Sequence, residues 1–404
     1  MSESDGQEFS RRGLLVKARN FLAAAAITPK IIPSLLAEKS QQIEKERVSE
    51  KWGNIANTGH DGDVTRGIFF FAGERNTRSP YPHLQPDTEW NNENVGKIFD
   101  EINDSSVNVI KLSWWGDENE TEQWAPTINT ESVNRKVFEE AGKRDMLVAP
   151  VIEVSPNFEF WKDFPDNTDK LEDRITTLLS QFGGEENWLK MYNRNGEKRT
   201  VIQLIETIHG APVDEEKFAG TFDLVADKIL QKTGIAIGFV IDPTPLPAHG
   251  SYEGPNEKKL FDKKSILGVG AYNIFSDGES ESERFENAQK VIERWISSGI
   301  PVVLPLATGF NDEGTDRIHT QKFGNTAEWR RRLKDFVAKY ANQVKGMSFD
   351  SWNTFTEGGA VTPTVEYGDE NLQFAREILA TPAFNPLLKK ELKYKAFAPS
   401  VASD

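Results

Sequence analysis

The feature that most constrains this chain is a repeated alternation. Eight short apolar runs, at residues 66–72, 107–115, 146–154, 200–208, 235–241, 266–272, 300–306 and 346–352, are separated by segments of helical periodicity. Each run suits one buried strand and is too short for a typical helix. Residues 94–103 show the other period, with Val95, Ile98, Phe99 and Ile102 at three- and four-residue spacing on one face. The same reasoning predicts helices over 131–144, 169–182, 214–232, 282–298, 326–343 and 367–380. Strands apolar on both faces and separated by helices build a parallel sheet. Eight such units fit a single (β/α)8 barrel of the TIM type, an α/β fold, more economically than an open doubly wound sheet. No Gly-x-Gly-x-x-Gly follows a strand and no P-loop occurs, so the nucleotide-binding open sheets lack their signature.

The predicted organisation is a tail over 1–63, the barrel over 64–382 and a C-terminal tail over 383–404. Two readings of the first tail stay open. Ser10-Arg11-Arg12-Gly13-Leu14-Leu15, followed by apolar 21–28, looks like a twin-arginine export signal, but Lys17 and Arg19 interrupt the place where its apolar region should begin. The alternative is an amphipathic helix over 14–26. Export would make the protein extracellular; otherwise it is cytoplasmic.

Composition narrows the chemistry. The formal net charge is −15, which disfavours nucleic acid, a ligand that needs phosphate-neutralising Lys and Arg. There is no cysteine, so disulfides, thiolate metal sites, iron–sulfur clusters and thiol catalysis are excluded. Five histidines leave little for an all-His metal site, and His209, His249 and His319 lack ligand spacing. No metal or cofactor is expected. No apolar run approaches the roughly 20 residues of a membrane span.

In such a barrel the active site forms at the C-terminal ends of the strands. The residues there include Trp114 and Trp115, Glu153, Glu206, Asp242, Tyr272, Asp312, Asp350, Asn353 and Glu357. Clustered like charges repel, so a mouth used only for stability would rarely collect so many acids. Carboxylates beside aromatic rings suit carbohydrate, whose ring faces are apolar and whose hydroxyls pair with acids and amides. Cleaving a glycosidic bond commonly needs two carboxyl groups, one of them protonated.

Ser351-Trp352-Asn353-Thr354-Phe355-Thr356-Glu357-Gly358, with Pro363 and Tyr367-Gly368 after it, resembles the eighth-strand motif of endo-α-mannosidase-like proteins. These are the family 99 glycoside hydrolases and the related WbsX-type proteins of polysaccharide gene clusters. Val109–Gly116, Val148–Glu153 and Gly309–Asp312 with Arg317 agree in order with other family segments. The resemblance implies a (β/α)8 fold, a carbohydrate substrate and Glu357 as general acid/base. The family carries a second glutamate three residues earlier, where it activates the sugar's own 2-hydroxyl. Here that position is Thr354, which cannot serve as that base.

The expected roles follow. Glu357 is the proton donor, and Glu153 or Asp242 is the second carboxylate. Trp114 or Trp115 forms a sugar platform, with core packing as the rival role. Glu206, Tyr272, Asp312, Arg317 and Asn353 contact substrate, Asn353 by positioning Glu357 or a hydroxyl. The leading expectation is a glycoside-hydrolase-like enzyme acting on an oligo- or polysaccharide. The alternatives are a WbsX-type biosynthetic protein and a catalytically inactive glycan-binding barrel.

Overall fold

The structure is a computed structural model. It describes residues 65–72, 91, 94–114, 131–154, 168–205, 215–243, 259–260, 262–272, 274–313 and 321–380. Both predicted tails, and Trp115, Glu206 and Arg317, lie outside these residues.

Eight parallel strands carry the fold: β1 (Thr65–Phe70), β2 (Val109–Ser113), β3 (Leu147–Glu153), β5 (Lys198–Ile205), β6 (Ile237–Ile241), β7 (Ile266–Val269), β8 (Val303–Leu306) and β11 (Gly346–Phe349). Their order is β7-β6-β5-β3-β2-β1-β11-β8, and a parallel bridge between Val269 and Val302 joins the two ends of this path. The sheet thus comes round into a (β/α)8 barrel. The helices among the described residues are α1 (Val95–Asp104), α2 (Glu131–Gly142), α3 (Asp169–Phe182), α4 (Glu215–Thr233), α5 (Glu281–Ser298), α6 (Ala327–Tyr340) and α7 (Glu370–Leu379). Their ends follow local chemistry. The Ser280 and Thr326 hydroxyls accept from the main-chain N–H groups of Glu283 and Trp329, satisfying donors that the first turns of α5 and α6 leave without partners. Gly299 ends α5 in the left-handed region, where glycine is least strained.

Three short strands escape the sequence pattern. The polar stretch after α3 contains β4 (Lys190–Tyr192), antiparallel to β5. The loop after β8 contains the hairpin β9 (Gly309–Asn311) and β10 (Lys322–Gly324). Three residues are too few for a period to show.

Alternation along each strand sorts the side chains into two cores. Ile68, Phe70, Ile110, Leu112 and Trp114 face outward and join helix residues such as Ile98, Phe99, Val137 and Phe138. Inside the barrel, Val109, Ala149, Val201, Val240, Leu267 and Val303 form an apolar plug at the N-terminal ends, together with Leu189 and Met191. Phe69, Val151 and Ile205 lie above it, with Phe71 and Tyr272 against them. Among the described residues no helix is long and apolar enough to cross a membrane.

Candidate active site

The inward faces of the strands become polar toward their C-terminal ends. On β2 the inward series is Val109, Lys111, Ser113. Buried Asp242 directly follows β6, and β11 carries Ser348 and is followed by Asp350. Gly67 on β1 faces both Lys111 and Ser348: a Cβ there would lie 3.3 Å from Lys111 Cε and 3.3 Å from Ser348 Oγ.

Glu357 sits in a turn of 3-10 helix, Phe355–Glu357, that follows β11. Gly358 closes this turn with φ of 62°, and a Cβ at that position would come within 3.0 Å of Asn311 Cβ. Glycine meets both demands. The segment after Glu357 is tied down from three sides. Asn325 Nδ2 donates to the Gly358 carbonyl at 3.1 Å, Thr308 Oγ1 to Gly359 at 3.3 Å and Asn371 Nδ2 to Ala360 at 3.0 Å. A half-buried carboxylate is thereby held on a fixed loop.

The Tyr272 hydroxyl donates to Glu357 Oε2 at 2.9 Å. Its main-chain N–H donates to Asp242 Oδ2 at 3.1 Å, so Asp242 fixes the residue that contacts Glu357. Burial pushes the Tyr272 phenol well above the usual tyrosine range. The charges of Glu357 and Asp350 push the same way, and the Thr354 hydroxyl pulls against them. The phenol therefore stays protonated at neutral pH and remains a donor. Its ring packs on Phe69 at 5.1 Å, and Phe69 in turn meets Phe71 at 5.0 Å. Tyr272 and Phe71 are half-buried and form an aromatic wall beside Glu357.

The other expected site residues are placed as follows. Glu153 ends β3 at the mouth, half-buried. Trp114 is 2% exposed and belongs to the core between strands and helices, the packing role. Its parity on β2 sets this: it follows Ile110 and Leu112 outward, opposite to Lys111. Asn353 holds the main chain of Phe71 with both ends of its amide, accepting from Phe71 N at 3.0 Å and donating to Phe71 O at 2.7 Å. That pair joins the Glu357 loop to the end of β1. Asp312 is buried in the β9–β10 connection, where its carboxylate accepts from the Gln321 N–H and its own N–H donates to Gln321 O at 3.1 Å. Asn353 and Asp312 thus each tie together parts of the frame of the mouth. Thr354 is buried, its hydroxyl against that of Ser351, whose Oγ also accepts from Thr354 N at 2.9 Å.

Three residues at the mouth have no place among the expected substrate contacts: Phe71, Lys111 and Asp350. Lys111 carried a signal, because a lysine inside an otherwise apolar strand must face something other than the helix layer. Burial pushes its ammonium down to about 8, against the opposing attraction of Asp350 and then Asp242.

A fixed carboxylate with a neutral phenolic donor, further acids and an aromatic wall is able to hold a sugar and exchange protons with it. No protein-family model matches the sequence, and no curated protein matches it. Solved structures do. The GH99 endo-alpha-mannosidase from Bacteroides thetaiotaomicron superposes with a TM-score of 0.55 at 13% identity, covering 82% of this chain and 99% of that one. A protein described as glycoside hydrolase-like gives 0.50 at 11%, covering 78% and 94%. A Glycoside Hydrolase Family 5 mannosidase from Rhizomucor miehei gives 0.50 at 12%, covering 83% and 96%. The fold is a glycoside-hydrolase-like TIM barrel. At these identities the likeness speaks for the architecture, and the chemistry rests on the mouth itself.

Proposed function

We propose that this protein is a glycoside hydrolase that cleaves an oligo- or polysaccharide by carboxylate acid/base chemistry. The observation that carries this reading is the 2.9 Å hydrogen bond from Tyr272 to Glu357 at the C-terminal mouth of the barrel. Glu357 gives its proton to the departing glycosidic oxygen, and a second carboxylate of the mouth takes the proton of the attacking oxygen. Glu153 and Asp242 are the acids the sequence nominates for that second role. Tyr272, protonated throughout the neutral range, orients the Glu357 carboxylate and presents a ring beside Phe71 for the sugar face. The named activities of the similar solved structures, endo-alpha-mannosidase and mannosidase, support a mannose-containing glycan as the first substrate to try.

The test is a screen of purified protein against α-mannan, α-glucan and capsular or exopolysaccharide panels, with product analysis, beside Glu357→Gln. Released oligosaccharide from the wild type alone is the expected result. One observation favours a second reading. The Thr354 hydroxyl is occupied with Ser351 where the resembling family has a glutamate, which suits a barrel that binds glycan without cleaving it. Binding by both proteins with no product from either would select that reading.

A further inference from the structure

Lys111 is the feature that the proposed acid/base pair leaves unexplained. It stands midway along β2, 6% exposed, inside the barrel and above the apolar plug. Among the described residues its ammonium makes no hydrogen bond; what it feels is the charge of Asp350 and Asp242. Gly67 and Ser348 flank its side chain, and Gly67 leaves room for it. An ammonium buried without a close partner costs several kcal/mol unless opposite charge compensates it. Its retention here needs a reason in the mouth above.

The two acids are placed differently. Asp242 already accepts the Tyr272 main-chain N–H at 3.1 Å, which commits one of its oxygens to the frame. Asp350 directly follows β11, on the way to Glu357, and is 7% exposed. Asp350 N donates to Leu306 O at 2.7 Å, which continues the β11 ladder, so Asp350 shares the inward face of Ser348, the residue that meets Lys111 beside Gly67. The Asp350 charge acts in the same direction as this placement, favouring the charged form of Lys111 and, with Glu357, the neutral form of the Tyr272 phenol.

We propose that Lys111 is the internal counter-ion that holds Asp350 as a carboxylate, and that Asp350 is the acceptor in the mouth for the proton of the attacking water. The acceptor role rests on the hydrolase reading above; the ion pairing does not. In the reaction, the oxygen of a water forms its bond to the anomeric carbon as the glycosidic C–O bond breaks. The water's proton passes to Asp350, and the Glu357 proton goes to the leaving oxygen. Solvent then returns Glu357 and Asp350 to their starting states. Lys111 touches neither reacting atom and is a positioning residue. Among the described residues the other titratable groups of the mouth are Asp242, Glu153, Tyr272 and Glu357; on the inward face of β1, Gly67 and Phe69 bring none.

The experiment has two arms on the full chain. In the first, the lysine ammonium groups are followed by NMR against pH without any substrate, with Lys111 assigned from its loss in Lys111→Arg. A midpoint near 8, moved lower in the isosteric Asp350→Asn variant, is expected. A midpoint in the ordinary lysine range of about 10.4, unmoved by Asp350→Asn, would overturn the pairing. The second arm uses a glycan that the wild type cleaves. Asp350→Asn should lower kcat by about 10²–10⁴-fold with KM within about threefold. Lys111→Met should lower kcat and move the acid limb of the profile to higher pH, and Lys111→Arg should restore that limb. An Asp350→Asn enzyme with kcat within about threefold of wild type would overturn the acceptor role. A wild type that cleaves no glycan defeats the hydrolase reading and the acceptor role with it, while the first arm still decides the pairing.

Discussion

The two ends of the barrel interior are built by the same strands with the same alternation, yet their chemistry is opposite. At the N-terminal end, Val109, Ala149, Val201, Leu267 and Val303 fill the space with hydrocarbon. Toward the C-terminal end, the inward positions become Lys111, Glu153, Asp242 and Asp350, with Tyr272 and Glu357 above them. Helices follow the strands at this end and loops rise from it, so polar groups there reach solvent and ligand. Stabilisation and chemistry are thus divided along one strand. Two residues, about 7 Å of rise, separate a position that stabilises from one that does chemistry.

The largest test of this division is at the top. Glu357→Gln keeps the shape of the side chain and its acceptor oxygen for Tyr272 but removes the transferable proton. Hydrolysis should fall by about 10²–10⁴-fold, with a thermal midpoint within a few degrees of wild type. A midpoint that collapses would move Glu357 from chemistry to framework. The converse test is at the bottom. Leu267 is fully buried in the plug, and Leu267→Ala should cost about 2–5 kcal/mol in denaturant melts while kcat/KM at a temperature where the variant is folded stays unchanged. A matching loss of turnover would show that plug and mouth are mechanically one unit.

Tyr272→Phe has a smaller expected effect, because it deletes one donor from a pair that keeps its packing. The ring still rests on Phe69, so stability changes little. A hydrogen bond to a charged group is worth about 1.5–3 kcal/mol, so kcat should fall by roughly tenfold to a hundredfold. The phenol is held well above the usual tyrosine range, so its deprotonation contributes no limb to the wild-type profile below pH 10. An alkaline limb below pH 10 that vanishes in Tyr272→Phe would show that the phenol itself titrates in the working range.

The division is partly written in the sequence. The eight strands are legible because burial on both faces forces near-continuous apolar runs, and the helices because their outer faces are polar. The mouth acids are legible from their position at strand ends. The direction in which each residue points is harder to read. Trp114 looks like a sugar platform at a strand end, yet its parity with Ile110 and Leu112 turns it to the helix layer. The opposite parity of Lys111 contained that information, since the helix layer has no place for an ammonium. Asn353 and Asp312 look like ligand contacts because their types suit hydroxyls. They also bond main-chain groups, in the case of Asn353 those of Phe71 on the first strand unit, and no local pattern announces a pairing over that separation. Strands β4, β9 and β10 are invisible for a simpler reason, being shorter than any period.

The boundary between plug and mouth passes through Gly67, and the smallest expected effect belongs there. A methyl at this position meets Lys111 Cε and Ser348 Oγ at 3.3 Å and Ser348 Cβ at 3.4 Å. Each contact is tight by a few tenths of an ångström, and both neighbours are able to give. Lys111 has four side-chain torsions, and among the described residues the Ser348 hydroxyl has no hydrogen-bond partner to lose. Removing a glycine from the unfolded chain contributes about 0.4–1 kcal/mol in favour of folding, which offsets the crowding. Gly67→Ala should therefore change stability by less than about 1 kcal/mol in either direction, while displacing the ammonium and so altering the pH at which Lys111 loses its proton. Denaturant melts and the NMR titration of Lys111 measure the two effects separately. A stability loss comparable to that of Leu267→Ala, with the titration unmoved, would place Gly67 in the plug and raise the border of the mouth above Lys111.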